Sequence, residues 1–247
     1  GRLGFLHGDP AAVEQIVELC RLPGLAAEGI YTHFADSDGD REFTLEQLAR
    51  FRAMLERLEA AGVRFALRHA ANSGAIWHVP ESHLDLVRLG ISLYGYHPGG
   101  AGARGPGLRP ALTWKTAVAM VKTVPAGTPV SYGRTYVTQG RETLATLPVG
   151  YADGYSRALS NRGQVLVAGR RARVVGRVCM DQIVISVPPG TEVRAGDEVV
   201  LLGRQGADAI SADEMAGWLG TISYEVLCAI SARVPRVYPG GGAAGRG

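Results

Sequence analysis

The sequence predicts two unlike halves: an α/β half that reads as part of a (β/α)8 TIM-like barrel, followed by a mostly-β C-terminal domain. Three observations predict this. Residues 1–98 alternate helical and strand patterns with short connections, which implies a parallel sheet covered by helices. Residues 99–110 form a Gly/Pro/Arg linker without an apolar period. From 111 to 238 the pattern is mostly strands, before a tail, 239–247, that reads as disordered. The first half offers only three or four strands, fewer than a closed barrel requires. Part of a barrel is therefore expected, with the natural start upstream of Gly1.

Taken in order, Asp9 can cap a helix whose first position is Pro10, with Val13, Ile16, Val17 and Cys20 as its apolar stripe. Leu25 to Phe34 reads as a strand. Thr44-Leu-Glu-Gln47 fits a capping box that opens a helix with Leu48, Phe51, Leu55 and Leu58 on one face, stopped by Gly62. Phe65 to Ala71 is the next strand, Ser73 to His78 a short helix, and Leu84 to Gly90 a third strand.

In the second half, strands are expected at 111–124, 129–138, 142–149, 164–168, 171–178, 182–187, 197–202, 223–230 and 233–238, with a hairpin turn at Ala168-Gly169-Arg170. Val130, Thr135, Tyr136, Val137 and Thr138 carry the β signal around Tyr132, and Gly150 and Gly154 bracket a departure from the ladder around Tyr151. One helix interrupts, capped by Ser211 with Glu214 three residues on, and carrying Met215, Trp218 and Leu219.

Composition bounds the function. A hydrophobic share of 46%, a charged share of 20% and a net charge of +3 over 247 residues describe a globular chain with ample core. Lys and Arg are scattered, so no nucleic-acid partner is expected. The best apolar run, Thr113 to Val124, is cut by Lys115 and Lys122, so no membrane partner is expected either. Three cysteines, Cys20, Cys179 and Cys228, suit free thiols in a reducing compartment, and a cytoplasmic location is expected.

In α/β barrels, functional groups gather where strands end. His33 ends one predicted strand, His69-Ala-Ala-Asn-Ser73 the next, and Arg88-Leu-Gly90 the third. Ser73 at a helix start, with the backbone N–H groups of Gly90 and Ile91, suits a phosphate, and Gly90 lets backbone approach the ligand. His7, His78, His83 and His97 read as ordinary core or surface imidazoles. Two tyrosines on turn-flanked strand ends, Tyr132 and Tyr151, suit a site better in this company than they would alone.

These stretches together resemble the alanine racemase family, pyridoxal-phosphate enzymes with an N-terminal barrel and a C-terminal β domain. The resemblance rests on Gly1-Arg-Leu-Gly-Phe5, Tyr31-Thr-His-Phe34, His69-Ala-Ala-Asn-Ser73, Arg88-Leu-Gly-Ile-Ser-Leu-Tyr-Gly95, Val130-Ser-Tyr-Gly133, Gly150-Tyr-Ala-Asp-Gly154, Gly176-Arg-Val-Cys-Met-Asp181 and Ser223-Tyr-Glu-Val226, in family order. It implies interconversion of L- and D-alanine with pyridoxal 5'-phosphate by two bases, D-alanine being supplied for peptidoglycan. It also implies a homodimer whose active site is shared between subunits.

By position, Tyr132 resembles the base serving the L-alanine direction, and Arg2 the arginine that holds the substrate carboxylate and hydrogen-bonds that tyrosine. Met180 and Asp181 match the substrate pocket. Ser73, Gly90, Ile91 and Tyr224 resemble the phosphate-binding set. Arg88 resembles the partner of the pyridine nitrogen, oriented by His69, with His33 against the ring. Tyr151 and Tyr224 resemble the tyrosine-lined entry gate. Physical chemistry agrees: a phenol with a pKa of about 10 needs a nearby cation to work near neutrality. An Arg at the ring nitrogen keeps its own proton and leaves the pyridine unprotonated.

The family's cofactor-bearing lysine, also the base on the opposite face, belongs to an upstream Lys-Ala-Asn-Ala-Tyr-Gly-type motif. This sequence holds only Lys115 and Lys122, neither in such a motif. An N-terminally truncated racemase, inactive by itself, is the expectation. A related barrel-plus-β decarboxylase or broad-spectrum racemase is the nearest rival, and a lysine-free remnant acting as a binding module the more distant one.

Overall fold

A computed structural model describes residues 4–100 and 107–239. Two compact units divide at Ala111 and Leu112. Arg2, the middle of the linker and the tail from 240 onward lie outside the described residues.

The first unit runs α1 (Ala12–Arg21), β1 (Gly29–Tyr31), α2 (Arg41–Ala60), β2 (Leu67–His69) and α3 (Ser73–His78). β1 and β2 pair in parallel, Ile30 opposite Arg68 and Tyr31 opposite His69. The helices supply the core. Leu48, Phe51, Met54 and Leu58 recur at helical spacing along α2 and are buried. Leu48 and Phe51 pack with Phe34, Ala70, Ala71, Ala75 and Val79, while Met54 and Leu58 meet Ala12 and Ile16 of α1, with Val13, Val17 and Cys20 at the margin.

Several boundaries differ from those expected. Asp9 accepts the N–H of Ala11 in the preceding turn (2.9 Å) rather than capping from Pro10. The capping box is displaced: Asp40 caps α2 by accepting the N–H of Phe43 (2.9 Å). Thr44 lies inside the helix, its hydroxyl donating to the Asp40 carbonyl (2.8 Å). Residues 84–90 run beside β2 but form one parallel bridge, His69 to Leu86. The N–H groups of Asp85 and Arg88 reach the carbonyls of Arg68 (3.1 Å) and Ala71 (2.9 Å). Leu84, held at φ 49°, prevents an earlier start.

The second unit is one antiparallel sheet with a small hairpin and two helices. Its strands are β3 (Trp114–Ala117), β4 (Met120–Val124), β5 (Pro129–Val130), β6 (Tyr136–Val137), β7 (Glu142–Leu147), β8 (Gln164–Val167), β9 (Arg170–Val174), β10 (Ile183–Ser186), β11 (Glu198–Gln205) and β12 (Asp208–Ile210). The order is β12-β11-β8-β9-β10-β7-β4, with β3 also on β11 and β5-β6 apart. Val199, Val200, Leu201 and Leu202 of β11 are all fully buried, so this strand is covered on both faces. β8 and β9 join through a two-residue turn with Val167 opposite Arg170. Ala168 and Gly169 there have φ 49° and 72°, the left-handed pair that such hairpins need.

α4 (Ala212–Leu219) starts as expected, Ser211 accepting the N–H of Glu214 (3.0 Å). The expected strand 223–230 is instead helix α5 (Ser223–Ala229), and 233–238 forms no strand. A short apolar run such as Val226-Leu-Cys-Ala cannot be assigned to strand or helix by periodicity. What decides here is packing, with Ser223 and Val226 buried. The run 111–124 divides into β3 and β4, because Val118 and Ala119 turn to bond Asp197 and Thr146. No helix among the described residues is long and apolar enough to cross a membrane.

Candidate active site

In the first unit the predicted strand ends do converge, and Arg88 is their hub. One terminal nitrogen of its guanidinium donates to Nδ1 of His69. The other reaches the carbonyls of Thr32 (2.9 Å) and Ala70 (3.1 Å) and Nδ1 of His33 (3.2 Å). Since a guanidinium only donates, both histidines must present an unprotonated Nδ1 to it. Burial, then the charge of Arg88, lowers the pKa of His69, and burial also lowers that of Arg88. The His69 ring stacks on Tyr31, centroids 5.1 Å apart and planes at 11°, and Arg88 lies over the same tyrosine at 5.1 Å. Tyr31 is thus a member that strand-end reasoning passed over.

A turn further along, Asn72 caps α3 by accepting the N–H of Ala75 (3.1 Å), which leaves Ser73 on the first turn. The Ser73 hydroxyl accepts the N–H of Gly90 (2.8 Å) and, more weakly, that of Ser92 (3.4 Å). A β-carbon on Gly90 would sit 3.3 Å from that hydroxyl. Ser73, Gly90 and Ile91 are therefore neighbours, as expected.

In the second unit three loops enclose an open cavity of about 630 Å³ lined by Ser131, Tyr132, Tyr151, Cys179, Met180, Asp181, Gln182 and Val184. Tyr132 opens a 3-10 turn between β5 and β6 and is 74% exposed. Ser131 before it has φ 61°; its hydroxyl donates to the Arg177 carbonyl (2.7 Å). Gly176 makes room for this, since a β-carbon there would stand 2.7 Å from that of Ser131. Hairpin β5-β6 is tied down by Glu142, which accepts from Tyr136 (2.7 Å) and Ser186 (3.1 Å).

Tyr151 opens a 3-10 turn at the end of β7. Its N–H meets the Cys179 carbonyl and that of Ala152 the Met180 carbonyl, each at 3.0 Å. Any β-carbon on Gly150 would lie 2.3 Å from both carbonyls, so glycine is what allows these loops to touch. Tyr224 is the second residue of α5, at the surface.

Arg233, Cys179 and Asp153 were not found from sequence. Arg233 donates to Asp153 (2.9 Å) and Asp181 (2.7 Å), across 52 positions for the latter, and no local spacing announces such a pair. Neither lysine lines this cavity: Lys115 on β3 pairs with Glu198 (2.9 Å), and Lys122 lies on β4.

Comparison with known proteins identifies the family. Residues 111–238 match the family model "Alanine racemase, C-terminal domain", and residues 1–98 match "Alanine racemase, N-terminal domain". Alanine racemase of Symbiobacterium thermophilum is 53% identical over 242 residues, covering 97% of this chain and 63% of the relative. That of Carboxydothermus hydrogenoformans is 52% identical over 240 residues, covering 96% and 64%. Among solved structures, alanine racemase from Bacillus anthracis with bound L-Ala-P superposes with a TM-score of 0.91 at 40% identity, over 98% of this chain and 63% of that one. The enzyme from Bartonella henselae with covalently bound pyridoxal phosphate gives 0.82 at 30%, over 96% and 63%. The chain thus spans rather less than two thirds of its relatives' length, in both their domains, and it belongs to the alanine racemase family.

Proposed function

We propose that this chain forms the greater part of an enzyme that interconverts L- and D-alanine. In this reading residues 1–98 are the C-terminal part of a barrel, 99–110 a linker and 111–238 the β domain. The observation that carries it is the meeting of Tyr132, Tyr151 and Met180-Asp181 around one cavity. In this reading the three loops supply a base, a gate and a pocket wall for a small amino acid, the roles that the family resemblance implies for Tyr132, Tyr151 and Met180-Asp181.

The first unit fits pyridoxal 5'-phosphate. Ser73, its hydroxyl steadied by the Gly90 N–H, suits the phosphate with the Gly90–Ile91 backbone; a role for Tyr224 there rests on the family resemblance alone. Arg88 spends its terminal nitrogens on the protein, which leaves Nε for a ring nitrogen, and His33 and His69 fix its plane. When bound, the cofactor withdraws electrons from the substrate's α-carbon. An Arg there keeps the ring nitrogen unprotonated and moderates that withdrawal. Tyr132 moves the α-proton on one face, a phenol that needs a cation to work near neutrality. The family resemblance gives that part and the substrate carboxylate to Arg2, which lies outside the described residues. The amine for the other face is assigned to the part of the relatives' length that this chain does not span, as is the cover for the exposed sheet face of the first unit. We further read the enzyme as a homodimer with a shared active site. We place it in the cytoplasm, as the three free cysteines favour, where it supplies D-alanine for peptidoglycan.

The test extends the chain to the length of its relatives and follows alanine by circular dichroism. Tyr132→Phe is expected to lower L-to-D turnover by roughly 100-fold or more, whereas the 247-residue chain alone should not racemise. Unchanged turnover in Tyr132→Phe removes the base from its role.

A further inference from the structure

We infer that Arg233 is a positioning residue that sets the width of the Tyr151–Met180 side of the cavity; this rests on the function proposed above. Three observations support it. First, Arg233 divides its guanidinium between two loops. Its Nε meets Asp153 at 2.9 Å, and one terminal nitrogen meets Asp181 at 2.7 Å. Each carboxylate sits beside a wall of the cavity, Asp153 in the turn opened by Tyr151 and Asp181 next to Met180.

Second, the Asp153 side of this bridge is not a loose surface pair. Asp153 is 9% exposed, and its other oxygen accepts the N–H of Gly150 (2.8 Å). Its backbone carbonyl accepts the N–H of Ser231 (3.0 Å). Gly154 has φ 105°, and a β-carbon on it would stand 2.2 Å from the Ala229 carbonyl. The segment after α5 is therefore pressed onto the Tyr151 turn, and Arg233 extends that contact to the Met180 loop.

Third, the geometry needs a fork. A lysine ammonium is a point charge on a flexible stem and cannot hold two carboxylates in fixed directions as a guanidinium can. Neighbouring Arg236 is spent differently, on the carbonyls of Ile230, Ser231 and Val234. It closes the end of α5 and leaves the loop-to-loop role to Arg233 alone of the two.

The experiment compares Arg233→Met, Arg233→Lys and Asp181→Asn in the full-length enzyme, and amide hydrogen exchange of Tyr151 and Ala152 in the 247-residue chain. Expected are a rise in KM for alanine of about tenfold in Arg233→Met with kcat changed less than threefold, and a partial return in Arg233→Lys. Exchange of the two amides should speed by about tenfold. Asp181→Asn, an exposed change that leaves folding intact, should raise KM in the same direction, and the double variant should fall short of the product of the two effects. Unchanged KM and exchange with only a lowered melting temperature overturns the inference. A wild-type enzyme that fails to racemise alanine defeats the proposed function instead, and the exchange comparison alone then decides the role of Arg233.

Discussion

The two units bury their strands differently. β11 in the second unit carries four successive residues without solvent contact, whereas β1 and β2 in the first leave Tyr31 60% and Leu67 41% exposed. Parallel strands are ordinarily covered on both faces, so the first unit presents a sheet face whose energy is not yet collected. The lesson concerns where each half-site gets its rigidity. Arg88 is held by a net of hydrogen bonds to carbonyls and imidazoles. The Tyr151 loop follows β7 of the large sheet, and the Tyr132 turn sits in the small β5-β6 hairpin that Glu142 of β7 holds through Tyr136.

The largest way to test that contrast is Leu202→Ala in β11, which should cost about 3–4 kcal/mol in denaturant unfolding of the second unit. Leu67→Ala, on the exposed face of β2, should cost under about 1 kcal/mol by the same measurement, because little apolar area leaves the interior. Equal losses would mean the first unit's face is covered in solution. Intermediate in size, Gly150→Ala should cost roughly 2 kcal/mol and part the loops it joins. Its φ of −156° strains no residue, so the loss would come wholly from the collision with the Cys179 and Met180 carbonyls. Loss of amide protection at Tyr151 and Ala152 would report it.

The smallest effect is one of pH. Burial and Arg88 lower the His69 pKa from its ordinary 6.5. The unfolded chain therefore binds a proton that the folded chain refuses once pH falls below about 6.5. This contribution is complete above that value and is lost progressively below it. Denaturant midpoints at pH 7.5 and 5 should differ modestly, and His69→Gln should shrink the difference.

Helix α3 was legible to the residue, Ser73 to His78, with Asn72 before it as a capping residue and Pro80 soon after its end. The α2 cap was displaced because Asp40 and Thr44 are both competent cap residues standing before the same apolar stripe, and only the first has its N–H partner in reach. The site was legible where local chemistry marks it, at His69, Arg88 and the glycines around Tyr151. It was illegible at Arg233 and Asp153, whose meaning arises only when distant loops meet. Tyr31 was hidden for a related reason: a strand tyrosine looks ordinary until a neighbouring strand sets an imidazole against its ring.

Ser131 carries a consequence of its own. At φ 61° and ψ −176° it occupies a region that is almost glycine's preserve, at a penalty of order 1–3 kcal/mol for any residue with a β-carbon. Glycine would relax the chain but sever the tether to Arg177, and threonine would keep a hydroxyl while crowding the backbone further. Substitution just ahead of Tyr132 is thereby squeezed between comfort and aim, and serine is the narrow compromise that satisfies both.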